Sequence, residues 1–133
     1  MTVTDLIEQW FKKAKSDLNA AKTLAKLKPP ENELVCFHCQ QAAEKALKAY
    51  LILHDIEPIR THKLEKLCKI CRQYDDSFSK FLEIGKIVSK YAVQPRYPDD
   101  FLNITETETE QALEYAQSIY DFCWTKIFSD NNN

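Results

Sequence analysis

ELVCFHCQQAAEKALKAYLILH, residues 33–54, carries apolar side chains around almost its whole circumference when wound as a helix. A helix with one apolar stripe lies on a surface, whereas one that is apolar nearly all round must be enclosed by other elements. The segment therefore predicts the central helix of a bundle. The segments on either side read as its cover.

Toward the N-terminus, residues 4–28 place Leu6, Trp10, Ala14, Leu18, Ala21 and Ala25 at helical spacing, with Lys12, Lys13, Lys15, Lys22 and Lys26 largely elsewhere. Thr2 and Asp5 have the spacing of a capping box. Pro29 and Pro30 stop this helix, because proline lacks the amide donor and disfavours helical backbone at the residue before it. Toward the C-terminus, Pro58 ends the central helix and THKLEKLCKICRQY, residues 61–74, follows as a third helix begun by His62. Its Leu64, Leu67, Cys68 and Cys71 face one way, and Lys63, Lys66, Lys69 and Arg72 form a solvated row on the other.

Residues 77–93 then predict a single fourth helix, in which Gly85 marks a close helix crossing. QPRYPDDFLN, residues 94–103, is a loop. A last helix spans residues 105–128, with Ala112, Tyr115, Ile119, Phe122 and Lys126 along one line and an acidic first turn that complements the helix dipole. The fold expected is all-α: an up-and-down bundle of four to five helices, one domain over residues 1–128, and a disordered tail at 129–133. A single glycine among 133 residues, with no Asn-Gly or Asp-Gly pair, argues against β-hairpins.

Composition narrows the function classes. Hydrophobic residues at 44% and charged residues at 29% are the balance of an ordinary globule. No run approaches the roughly 18–20 apolar residues of a membrane span, and no leader pattern opens the chain, so the location expected is cytoplasmic. The net charge of −2 hides a division. Residues 1–98 hold 17 Lys and Arg against 12 acids, and residues 99–133 hold one Lys against eight acids. There is no overall basic field for nucleic acid, although a local basic face remains open.

Five cysteines fit reduced thiols better than a disulfide framework. Cys36 and Cys39, then Cys68 and Cys71, form two C-x-x-C pairs that on glycine-rich knuckles would suggest zinc. Both fall in helices. In a hairpin about Pro58 they lie roughly 12 Å apart along the axis at 1.5 Å per residue, so they are expected to be buried small hydrophobes and not metal ligands.

The candidate site residues are few. His38, Gln41 and Lys45 form a polar stripe along the central helix, suited to a ligand or partner. Asp17 sits at the inward edge of the first helix, where a carboxylate requires a basic partner. His62 lies where a helix start can bind an anion. Arg96 and Tyr97 offer a planar cation and a stacking face between Pro95 and Pro98, with Asp99 beside them, and Arg96 is expected to project toward His38 or Asp17. No phosphate-binding glycine loop and no nucleophile-elbow motif is present, so no catalytic residue is assigned.

Four blocks in order resemble the HEPN family: W-F-x-K-A-x-x-D-L-x-x-A from Trp10 to Ala21, C-F-H-x-Q-Q-A-A-E-K-A-L-K-A from Cys36 to Ala49, T-H-x-L-x-x-L from Thr61 to Leu67, and R-Y-P-D from Arg96 to Asp99. The resemblance implies a helical bundle that commonly dimerises, often beside a minimal nucleotidyltransferase. It also implies either a nucleotide- or partner-binding subunit or the ribonuclease half of a toxin–antitoxin pair. Ribonuclease members carry an Arg followed, after four to six residues, by a His. Here the positions after Arg96 are Phe101, Leu102 and Asn103, and Arg60 has His62 only two residues on. The expected function is therefore a non-catalytic subunit with no cofactor beyond a nucleotide ligand, and the ribonuclease acting on RNA is the alternative.

Overall fold

The computed structural model describes residues 1–92 and 103–129. Its elements are α1 (Val3–Ala25), α2 (Asn32–Leu53), α3 (Leu64–Cys71), a 3₁₀ turn (Asp76–Phe81), α4 (Leu82–Ser89), and α5 (Glu106–Trp124) continued by a π turn (Thr125–Ser129). The described residues contain no strand. None of their helices is long and apolar enough to cross a membrane.

The central helix is where its composition requires it. Along α2, Val35, Cys36, Cys39, Ala42, Ala43, Ala46, Leu47, Ala49 and Leu51 have no exposed surface. Helices α1 and α5 pack along α2, and α3 and α4 pair with each other and close another side. Small residues on α2, four of them alanine, let the neighbouring helices approach closely.

α1 opens with both bonds of the expected capping box: the Asp5 amide donates to Thr2 Oγ1 at 3.0 Å, and the Thr2 amide donates to Asp5 Oδ2 at 2.9 Å. Its inward face keeps Ala14, Leu18 and Ala21, but Ile7 and Phe11 are the buried residues of the first turns, with Leu6 and Trp10 only half-buried. The position of α5 explains this. Phe11 meets Tyr120 and Trp124 edge to face, with centroids 5.3 and 5.6 Å away.

Three other expectations need correction. α3 begins at Leu64, and His62 precedes it. The first helical amide, that of Leu64, is satisfied across the fold by Ser89 Oγ of α4 at 2.7 Å, a tertiary cap that the local sequence does not show. The fourth helix is divided, because Asp75 accepts from the Ser77 amide and starts a 3₁₀ turn before α4 proper. On α5 the buried line is Ala112, Ala116, Ile119, Cys123 and Ile127, with Tyr115 and Phe122 flanking it half-buried. Gly85 does mark a close crossing: a Cβ there would sit 3.0 Å from the Glu65 nitrogen and 3.2 Å from the Leu64 carbonyl carbon.

Candidate functional site

Gln40, Glu44 and Lys48 lie at successive i, i+4 positions on α2 and are almost entirely buried in an otherwise apolar helix. A buried carboxylate is tolerated only when its charge is matched and its lone pairs are used. Glu44 Oε2 accepts from Lys48 Nζ at 2.9 Å, and Glu44 Oε1 accepts from Gln40 Nε2 at 3.0 Å and from His62 Nδ1 at 2.8 Å. Gln40 Nε2 also donates to the His62 carbonyl at 2.9 Å, which pins the segment before α3 against α2. Burial alone would raise the Glu44 pKa. The hydrogen bonds from Gln40, Lys48 and His62, with the Lys48 charge, outweigh it and hold the carboxyl below its ordinary value.

The neighbouring face of α2 carries the second cluster. Asp17 of α1 accepts from His38 Nδ1 at 2.9 Å through Oδ1 and from Lys45 Nζ through Oδ2. His38 and Lys45 are two turns apart, and Asp17 spans them from the facing helix. The carboxylate expected to need a basic partner has two, both from the predicted stripe. Gln41, between them along α2, donates to Gln40 Oε1 at 2.7 Å and so belongs to the Glu44 cluster. The result is a polar band of two adjacent networks on α2, Asp17 with His38 and Lys45, and Gln41 and Gln40 with Glu44, Lys48 and His62, reaching from α1 over α2 to the segment before α3.

Its exposure is graded. Glu44 and Lys48 keep 7% and 9% of their side-chain surface, Lys45 and His38 22% and 27%, and His62 65%. The band thus has a buried, self-neutralised floor and an accessible rim that carries two imidazoles and an ammonium. Such a rim can receive an anion or an acidic protein surface, and its Asp-held imidazole could also take up a proton.

Of the residues singled out in the sequence, Asp17, His38 and Lys45 converge, while His62 joins the adjoining Glu44 cluster. Arg96, Tyr97 and Asp99, and the expected approach of Arg96 to His38 or Asp17, lie outside the described residues. Glu44, Lys48 and Gln40 were missed as site residues. The signal was available, since a Gln-x₃-Glu-x₃-Lys row inside a buried helix has to be internally paired.

The cysteines belong to the core. Cys36, Cys39, Cys68, Cys71 and Cys123 are free and buried, and burial pushes the Cys36 thiol up to about 11 and Cys68 to about 12. Among the described residues, no group of three or more His, Cys, Asp or Glu could hold a metal ion.

Comparison with known proteins places this architecture. The family model described as "HEPN domain" matches residues 7–127. A protein of Methanocaldococcus jannaschii named "Putative toxin MJ1304" is 30% identical over 127 residues, covering 84% of this chain and 82% of its own. Among solved structures, TT1696 from Thermus thermophilus superposes with a TM-score of 0.75 at 29% identity, covering 90% of this chain and 97% of that one. ST0689, described as an archaeal HEPN homologue, superposes with a TM-score of 0.71 at 28% identity, covering 91% and 97%. With the family model spanning nearly the whole bundle, the chain belongs to the HEPN domain family.

Proposed function

We propose that this chain is a non-catalytic HEPN subunit that uses the polar band to bind a nucleotide, a partner nucleotidyltransferase, or both, as half of a two-component, toxin–antitoxin-like system. In this reading it acts as a homodimer in the cytoplasm. The observation that carries the proposal is the band itself. Its polar side chains are held by mutual hydrogen bonds across three elements, at a place where apolar residues of similar volume would stabilise a bundle at least as well. Charges retained on a rigid scaffold at that cost are suited to recognition. The relative named as a toxin agrees with the two-component setting. The missing histidine after Arg96 supports the non-catalytic part of the reading.

Calorimetric titration with ATP and with GTP tests it. The wild type should give saturable heat, and Lys45→Ala and His62→Ala should each weaken binding by roughly tenfold, the scale of one charge-assisted hydrogen bond. No heat with either nucleotide, together with no co-purification of a co-expressed minimal nucleotidyltransferase, would reject the proposal.

The Asp17–His38 pair favours one rival, a metal-independent endoribonuclease in which His38 takes the proton of an RNA 2′-hydroxyl. Incubation of the purified protein with structured and single-stranded RNA in the presence of EDTA separates the two. Cleavage that is lost in His38→Ala would establish the rival, and intact RNA would leave the binding subunit.

A further inference from the structure

The two networks of the polar band are built alike: each holds one carboxylate, one ammonium and one imidazole. Asp17 accepts from Lys45 and His38, and Glu44 accepts from Lys48 and His62. While both imidazoles are neutral, the two carboxylates and the two ammonium groups cancel, and the band has no net charge to hold an anion. Each proton that an imidazole takes up adds one positive charge. Imidazole is the side chain that ordinarily makes this change between about pH 8 and 5.

The hydrogen bonds decide where such a proton goes. An ionised carboxylate can only accept, so the Nδ1 atoms that meet Asp17 Oδ1 at 2.9 Å and Glu44 Oε1 at 2.8 Å both carry hydrogen. In the neutral ring Nε2 is then a bare acceptor, and among the described residues neither Nε2 has a hydrogen-bond partner. A lone pair there repels a phosphate oxygen, whereas a protonated Nε2 donates to it in a charge-assisted bond. The charged groups tied to His38 are Asp17 of α1 and, through it, Lys45 of α2. Those tied to His62 are Glu44 and, through it, Lys48, both of α2, with Lys63 next in its own segment. In each network the carboxylate touches the ring directly and the ammonium does not, so the balance favours the protonated imidazole. His38 and Glu44 are six residues apart on α2, about 9 Å along the axis at 1.5 Å per residue, so an extended nucleoside triphosphate is long enough to reach both rings.

We propose that the band takes the phosphates of a nucleotide only with His38 and His62 protonated at Nε2, so that binding draws protons from solvent and tightens as pH falls. Each ring gains one proton from solvent, keeps its Nδ1 hydrogen on its carboxylate and turns the new Nε2 hydrogen to a phosphate oxygen. The inference rests on the nucleotide-binding reading above and deepens it: the group recognised is the phosphate, and pH regulates the site.

The test is calorimetric titration of the intact protein with ATP at about pH 7.5, once in HEPES and once in Tris, whose protonated form gives up its proton at a larger enthalpy cost. At that pH the terminal phosphate of ATP is already largely deprotonated, so a proton taken up goes to the protein. The wild type should give less exothermic binding in Tris than in HEPES. Its affinity should rise between about pH 8 and pH 7 by up to tenfold for each proton taken up. His38→Gln and His62→Gln, which keep a polar side chain that does not titrate, should each lower the uptake, and the double variant should show none. The buffer comparison is made on the wild type, so it stands even where a variant folds poorly. Saturable heat that is equal in both buffers, with the same affinity at both pH values, would overturn this inference and leave the nucleotide site standing. Proton uptake that persists undiminished in a folded double variant would also overturn it. No saturable heat in either buffer would reject the nucleotide-binding reading itself, and this inference with it.

Discussion

Glu44 accepts from Gln40, Lys48 and His62 while keeping almost no exposed surface, so its two neighbours along α2 and the His before α3 share one charge. Glu44→Ala leaves the Lys48 ammonium buried without that partner and should cost about 3–5 kcal/mol in chemical denaturation. Replacing both members, Glu44→Leu with Lys48→Met, should recover most of that loss, because well-packed apolar groups can replace a buried ion pair at little cost. The pH dependence follows from the lowered Glu44 pKa. Unfolding returns the carboxyl to its ordinary value near 4.5, so its contribution is complete above that pH and is lost as pH falls through the depressed folded value. Stability should therefore decline progressively on acidification below about pH 4.5, and Glu44→Gln should flatten the decline. Gly85 gives an opposite kind of residue-scale expectation. Glycine to alanine inside a helix ordinarily stabilises by about 1 kcal/mol, but the new methyl would press on the backbone of Leu64 and Glu65, which cannot rotate away. Gly85→Ala should instead destabilise by roughly 1–3 kcal/mol in urea titration.

At the scale of elements, the ends of α2 and α5 offer two tests. α2 finishes in a Schellman arrangement, the Ile56 amide bonding to the Leu51 carbonyl and the Asp55 amide to the Ile52 carbonyl, each at 3.0 Å. Asp55 occupies the left-handed position at φ 63°, which glycine adopts without a Cβ penalty. Asp55→Gly should raise the unfolding free energy by about 0.5–1 kcal/mol. Thr105 caps α5 in a reciprocal box with Glu108, and Thr105→Ala should lower it by about 1 kcal/mol. These ends also show which element boundaries the sequence discloses. The Thr2 and Asp5 box was readable because both partners lie within one turn. The start of α3 was not, because its cap is Ser89, 25 residues away on α4. Parts of the inward faces, Leu6 and Trp10 on α1 and Tyr115, Phe122 and Lys126 on α5, were misplaced by one residue for a related reason: periodicity shows that a helix has an apolar side, and the neighbour decides which of two adjacent rows is fully covered.

For the molecule as a whole, the enclosed central helix was legible because its apolar residues leave no face for water, and the bundle follows from it. The candidate site was legible in half. Asp17, His38 and Lys45 stood out as polar interruptions of apolar faces, but the bridge of Gln40 and Gln41 to Glu44 and His62 depends on how the chain returns after Pro58, which local spacing does not encode. The buried thiols supply a check on the packing as a unit: all five should resist a thiol reagent in the native protein and react together on unfolding, since burial pushes their pKa values up and closes access. The central claim is that the accessible part of the polar band, Asp17, His38 and Lys45, serves recognition. The most direct measurement is a calorimetric ATP titration of the Asp17→Leu, His38→Phe, Lys45→Met triple variant, run on material shown by denaturation to be as stable as the wild type. The account predicts a folded protein in which the binding heat seen with the wild type is gone. The same heat in wild type and variant would contradict it.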